Sequence, residues 1–293
     1  MPGLTWPEAA FVAWMRASSY WALGQAVIHD LQNPDLRRIR ADIGLPFGPG
    51  SAHRADVFYP PAEALGAVLF VHGGGWAGGT RRFGEPLGRE LASRGFLTIM
   101  PGYRLLPQAN VEEATSDVRR AWEWALGFAD REGFSPARVA LGGESAGSHL
   151  TTRALLRHFA PEGIAPPAHI AVFGPHDMEN FLARAQPITR AAMRLLRHPY
   201  GSLREAAPLL SNVTVPWPRH VRLLTIHGDR DPLVPYRMSV RLHEHAQKSG
   251  ASAEHVRIHG APHGFINTPR TRHGKPAVEA MDRWLRGIWQ DQG

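Results

Sequence analysis

The stretch RVALGGESAGSHLTTRALLRHF, residues 138–159, decides the fold. Arg138 to Leu141 reads as a short strand, and Ala146 to Phe159 has the length and spacing of a helix. Between them Gly143-Glu144-Ser145-Ala146-Gly147 forms G-x-S-x-G in a strand–turn–helix setting. Such a turn holds the serine in a strained backbone conformation that exposes its hydroxyl, and the glycines leave room for neighbouring backbone. The helix behind it brings backbone N–H groups and a positive dipole end to a developing anion. Standing alone, the pentapeptide is also compatible with an ordinary βα turn.

Working outward, His72-Gly73-Gly74-Gly75-Trp76 directly follows the buried-strand run AVLFV at 67–71. Consecutive glycines let a backbone turn its N–H groups into a cavity with no Cβ in the way, a geometry suited to an oxyanion. A phosphate loop is disfavoured, because the P-loop lysine and Ser/Thr are missing and GGGWAGG does not fit G-x-G-x-x-G. His72 reads as a brace for the glycine loop rather than a titrating group. On the other side, His227-Gly228-Asp229-Arg230-Asp231-Pro232 follows a strand at Arg222 to Ile226, and Pro262-His263-Gly264-Phe265 follows one near His255 to Ile258. A nucleophilic serine needs an orienting acid and a base in this chain order, which makes Ser145, Asp231 and His263 the candidate triad. Asp231 is preferred to Asp229 because it lies deeper in its loop and Pro232 fixes the following turn. Asp229 is expected to cap that turn.

Between these motifs strands alternate with helix-length segments: Ala55 to Tyr59, Phe96 to Met100 and Ile170 to Phe173 as strands, Val111 to Asp130 and about 235–248 and 276–290 as helices. This implies βαβ units in a mostly parallel central sheet with helices on both faces, an α/β fold. Leu45 to Gly50 reads as a Pro/Gly loop. The expected organisation is an N-terminal helical segment, 1–50, and a catalytic domain, 51–293. An insertion at about 176–218, with helical patches at Phe181 to Ala185 and Ile188 to Arg197, joins the first segment in a helical cap over the strand carboxyl ends.

HGGGW, GESAG, HGDRDPLVP and PHGF, in that order and spacing, resemble the α/β-hydrolase fold in its carboxylesterase and hormone-sensitive-lipase-like branch, over about residues 53–290. The resemblance implies a carboxylic ester hydrolase with Ser145 as nucleophile, His263 as general base and then acid, and Asp231 orienting the imidazole. It also implies an oxyanion hole of Gly74, Gly75 and Ala146 N–H groups, no cofactor and no metal. The substrate is expected to be a small-molecule ester with a short to medium acyl chain. Amide, lactone or carbamate hydrolysis on the same triad stays open, as does a non-catalytic ligand-binding receptor on this fold. Trp76 and Phe265 are candidate substrate-binding residues, with Phe83, Phe181, Met193 and Trp217 as further apolar candidates for the pocket wall, and core packing is the commoner role for each of the six.

Composition narrows the partners. The 293 residues are 43% hydrophobic, enough for a core, and the absence of cysteine excludes disulfides, thiolate metal sites and a cysteine nucleophile. The formal charge is +7, and since only Lys248 and Lys275 are lysines, almost all cations are arginine. They are scattered as singles and pairs with no nucleic-acid motif, so a solvated basic surface is expected and no nucleic-acid partner. Residues 9–28 are apolar and aromatic, but Glu8 precedes them and Arg16 and Gln25 interrupt them. Neither a signal peptide nor a membrane span fits. An amphipathic helix is expected, with Phe11, Met15 and Trp14 on its buried side, in a soluble cytoplasmic protein without stable membrane insertion and with a homodimer as a possible state.

Overall fold

A computed structural model describes residues 5–183, 187–196 and 200–290. The chain opens with helix α1 (Trp6–Gln32), followed by β1 (Ala41–Pro46), β2 (Arg54–Phe58) and β3 (Gly66–Val71). Then come α2 (Glu85–Ser93), β4 (Phe96–Pro101), α3 (Val111–Arg131), β5 (Val139–Glu144) and α4 (Ser145–Ala154), which runs on through one wider turn to Phe159. After β6 (Ala168–Val172) lie three short helices, α5 (Met178–Ala183), α6 (Pro187–Leu196) and α7 (Leu203–Leu210). The chain closes with β7 (Arg222–Gly228), α8 (Arg237–Lys248), β8 (Ala253–Ile258) and α9 (Gly274–Gln290).

The eight strands form one sheet in the order β1-β2-β4-β3-β5-β6-β7-β8, with β2 antiparallel to both neighbours and every other pair parallel. Alternation along each strand feeds two cores. Ala67, Leu69 and Val71 of β3 belong to the core on the side of α3, α4 and α8, whereas Val68 and Phe70 belong to the one on the side of α2 and α9. A strand buried on both faces must be apolar throughout, which is why AVLFV shows no polar alternation. Helix starts are equally local: Asn110 accepts from Glu113 N–H while the Glu113 carboxylate accepts from Asn110 N–H, a reciprocal cap that fixes the first turn of α3.

The register places the chemistry. Val71 pairs with Gly143, so the glycine loop after β3 and the serine turn after β5 leave the sheet side by side. Gly228 pairs with Ile258, bringing the loops after β7 and β8 together at the same edge. The chain reverses direction across the sheet between β3 and β5, the position where α/β folds open a crevice.

Several expectations need correction. Leu45 and Pro46 end an edge strand rather than a loop. Strand β1 carries Gly44 and a register shift between Asp42 and Leu45, and its half-exposed, mixed sequence lacks any strand-like run. Trp14 is 42% exposed, unlike its neighbours Phe11 and Val12, which are buried. Of the two roles open to Trp217 the structure takes the core one, its indole donating to Val221 O and its ring packed against His169. Arg184, Ala185 and Arg197, at the ends of the expected helical patches, lie outside the described residues, as does the side chain of Met193. Helix α1 packs on α6, and α5, α6 and α7 pack on one another. Among the described residues no helix is long and apolar enough to cross a membrane.

Candidate active site

Ser145 sits where β5 turns into α4, with φ +50, a left-handed conformation that costs a non-glycine residue about 1–3 kcal/mol. The surroundings enforce it. A Cβ on Gly147 would stand 2.2 Å from Val71 O and 2.4 Å from His72 O, so α4 can pack against the end of β3 only through a glycine.

His263 Nε2 lies 3.0 Å from Ser145 Oγ, and His263 Nδ1 lies 2.6 Å from Asp231 Oδ2. With Asp231 ionised, Nδ1 carries the ring proton and donates it, which leaves the Nε2 lone pair facing the serine hydroxyl. Asp231 itself is clamped: Oδ1 accepts from Leu233 N–H at 2.8 Å and Val234 N–H at 2.9 Å, and His227 Nε2 stands 3.3 Å from Oδ2. Burial alone would raise its pKa. The hydrogen bonds from His227, His263 and Val234 N–H, together with the charge His263 can carry, outweigh burial and hold the carboxyl well below the usual carboxylate range. Asp229 does not cap the turn. It accepts from Gly260 N–H, Arg257 and His259, and so ties the β7 loop to the end of β8.

On the opposite side, Gly73 comes so close that a Cβ there would stand 3.1 Å from Ser145 Cβ. Gly73 N–H donates to the Glu144 carboxylate at 3.2 Å, while the N–H groups of Gly74 and Gly75 donate to no backbone acceptor among the described residues. Ala146 is the second residue of α4, where an N–H has no intrahelical partner. Three candidate donors therefore surround the serine. Burial pushes the Glu144 carboxyl up, against the Gly73 N–H and the charge of His263. His72 braces the loop as expected: its Nδ1 is 2.7 Å from Gly73 O, its ring stacks on Tyr103, and burial lowers its pKa to about 4.

A cavity of about 670 Å³ opens above Ser145. Trp76, Phe83, Phe181 and Phe265 all line it, as does α1 through Phe11 and Met15. Trp76, at φ +61, is anchored by its indole N–H to His149 Nδ1 at 3.3 Å, and Phe265 packs edge-on against Phe173, whose ring also contacts His263. His149 Nε2 in turn reaches Leu210 O at the end of α7, and burial lowers the His149 pKa to about 3, keeping it neutral in this bridge. The sequence reading missed Glu144, His149, His227 and Phe173. His227 was legible in principle, since it stands near the end of β7 only four residues before Asp231, a spacing that invites contact. The others act through tertiary packing that no spacing encodes. Among the described residues no group of three or more His, Asp or Glu could hold a metal ion.

A family model described as alpha/beta hydrolase fold matches residues 68–267. Over 243 residues the chain is 26% identical to a protein of Oryza sativa subsp. japonica named probable isoprenylcysteine alpha-carbonyl methylesterase, covering 76% of this chain and 58% of that protein. It is 28% identical to esterase LipC of Mycobacterium tuberculosis over 256 residues, covering 80% of this chain and 60% of that one. The chain thus spans about three fifths of the length of the curated relatives it matches. The crystal structure of esterase B from Lactobacillus rhamnosis superposes with a TM-score of 0.80 at 18% identity over 97% of both chains, which shows a shared fold.

Proposed function

The chain belongs to the alpha/beta hydrolase fold family, and on that premise we propose that it is a serine hydrolase of carboxylic esters with short to medium acyl chains. The observation that carries this is the unbroken relay Asp231–His263–Ser145, at 2.6 and 3.0 Å, at the floor of a largely apolar cavity. Relatives named methylesterase and esterase support it.

Ser145 Oγ attacks the ester carbonyl as His263 Nε2 takes its proton, and the oxyanion forms against the N–H groups of Gly74, Gly75 and Ala146. His263 then hands the proton to the leaving alcohol. Water activated by the same ring releases the acid from the acyl-enzyme. Each oxyanion donor is worth about 2.7–4 kcal/mol where such donors have been removed. Asp231 holds the ring in the tautomer that can accept. Trp76 and Phe265 form substrate-facing walls. Helix α1 and the insertion at about 176–218 form a cap, with Phe11 and Phe181 closing one end of the cavity, whereas β1 of the first fifty residues belongs to the sheet. The chain 51–293 carries the catalytic parts, a cytoplasmic location belongs to the same proposal, and a homodimer is a state to be measured.

The test is a panel of p-nitrophenyl esters of increasing acyl length, run beside a p-nitroanilide and a lactone. Turnover should peak between about C2 and C6, because the apolar end walled by Phe11, Trp76 and Phe181 leaves no groove for a long acyl chain. Fastest turnover on long-chain esters, or on the anilide, would overturn the reading.

A further inference from the structure

The cavity above Ser145 changes character along its length. Helix α1 contributes Phe11, Trp14, Met15, Ser18 and Gln25 to its wall, a stripe that at 1.5 Å per residue spans about 20 Å. The first end is apolar and closed. Phe11 Cζ and Met15 Sδ stand 3.1 and 3.0 Å from the position a Cβ on Gly75 would occupy, and Phe11, Trp76 and Phe181 belong to one buried cluster.

The other end is polar and open. Two turns beyond Gln25, Asn33 meets Arg270, which also binds Asp35 just past α1 and Glu90 of α2. These contacts pin the end of α1 over the loop that follows His263. That loop adds Asn267, Thr268, Thr271 and His273 to the cavity wall, with Thr271 exposed and the others half-buried. Both threonine hydroxyls donate to backbone carbonyls, Thr268 to Phe265 O and Thr271 to Thr268 O, while Thr271 Oγ1 also accepts from Gly274 N–H at 3.2 Å, so each oxygen keeps a lone pair for a ligand.

The proton path decides which part of an ester faces which end. When the C–O bond of the tetrahedral intermediate breaks, the departing oxygen takes the proton that His263 Nε2 received from Ser145. It must therefore lie within about 2.6–3.2 Å of that nitrogen. The alcohol consequently leaves on the side of the His263 loop, and the acyl group stays on Ser145 toward the closed apolar end. Taking the hydrolase reading above as its basis, we propose that the leaving alcohol is a polyol of the glycerol or sugar type, bound at the polar end. Polyol hydroxyls both donate and accept, matching the remaining threonine lone pairs, the Gln25 amide and His273 Nδ1, whose partner nitrogen Nε2 accepts from Arg272 at 3.0 Å. An alkyl alcohol would strip water from these groups and replace none of their hydrogen bonds.

The experiment compares two butyrates that differ only in the alcohol, glycerol 1-monobutyrate and n-butyl butyrate. Wild-type kcat/KM should favour the glycerol ester by about tenfold or more. In the Gln25→Leu/Thr271→Val double variant that ratio should fall about tenfold, through KM for the glycerol ester. A wild-type ratio at or below one, or a ratio the double variant leaves unchanged, would overturn the proposal. A second measurement stands apart from turnover: calorimetric binding to Ser145→Ala should be tighter for the glycerol ester, and equal or weaker binding would overturn the proposal as well. If the wild type cleaved neither ester while the alanine variant kept that preference, the hydrolase reading would fail and the polyol site would stand.

Discussion

Replacing Asp231 by asparagine exchanges one oxygen for an NH2 group, and the surrounding donors decide where it must go. Leu233 and Val234 N–H hold one carboxylate oxygen at 2.8 and 2.9 Å from a backbone that cannot turn away. The amide oxygen therefore stays with them, and the NH2 group faces His263 Nδ1, now 2.6 Å from a carboxylate oxygen. Two donors cannot share that contact, so His263 must move its proton to Nε2, which faces Ser145 Oγ at 3.0 Å. The ring can then no longer accept the serine proton. In the well-studied triad the corresponding substitution lowers kcat by about 10⁴, equivalent to about 5.5 kcal/mol in the barrier. Among the described residues the Asp229 carboxylate bonds Arg257, His259 and Gly260 N–H, away from the relay, so Asp229→Asn should stay within about tenfold of wild type. The assay is kcat on p-nitrophenyl butyrate, with circular dichroism confirming that both variants fold. An Asp231→Asn enzyme within tenfold of wild type, or a larger loss in Asp229→Asn, would refute the reasoning.

Gly147→Ala forces a methyl group to within 2.2 Å of Val71 O; a cost of about 3 kcal/mol should lower Tm by about 5–10 °C, and an unchanged Tm would contradict the close approach. Burial raises the Asp117 pKa, but hydrogen bonds from Arg104 and His53 outweigh it and leave the carboxyl below its ordinary value. A depressed carboxyl contributes stability that is present above its unfolded pKa of about 3.9 and lost as pH falls through the folded value. Urea unfolding should therefore weaken below about pH 4, and Asp117→Asn should flatten that slope while costing about 2 kcal/mol at pH 7, since Arg104 is 39% exposed and partly screened.

The parts of this molecule that the sequence made legible are those where local sterics dictate residue type. The serine turn needs glycines because backbone passes within van der Waals distance, and the doubly covered strand β3 needs an unbroken apolar run. The relay could be read because Ser145, Asp231 and His263 each end a strand at the same edge of a parallel sheet. Strand β1 escaped because an edge strand with a bulge buries little and so carries no pattern. Trp14 was misplaced, and Trp217 was left between pocket wall and core, for a related reason. An aromatic side chain fits a pocket wall, a core or an exposed helix face equally well, and only packing chooses. The bridge from Trp76 through His149 to Leu210 joins three elements distant in sequence, so no spacing rule points to it.

The claim on which the account rests is that Ser145 is the nucleophile of an acyl-transfer reaction. A fluorophosphonate probe followed by intact mass and peptide mapping tests it without any choice of substrate, because the probe reacts with a serine whose proton a neighbouring base can take. One adduct per chain, located on Ser145, is predicted, and Ser145→Ala should lose both the adduct and ester turnover while remaining folded. An adduct on another residue, no adduct at all, or an alanine variant that still turns over ester would contradict the account.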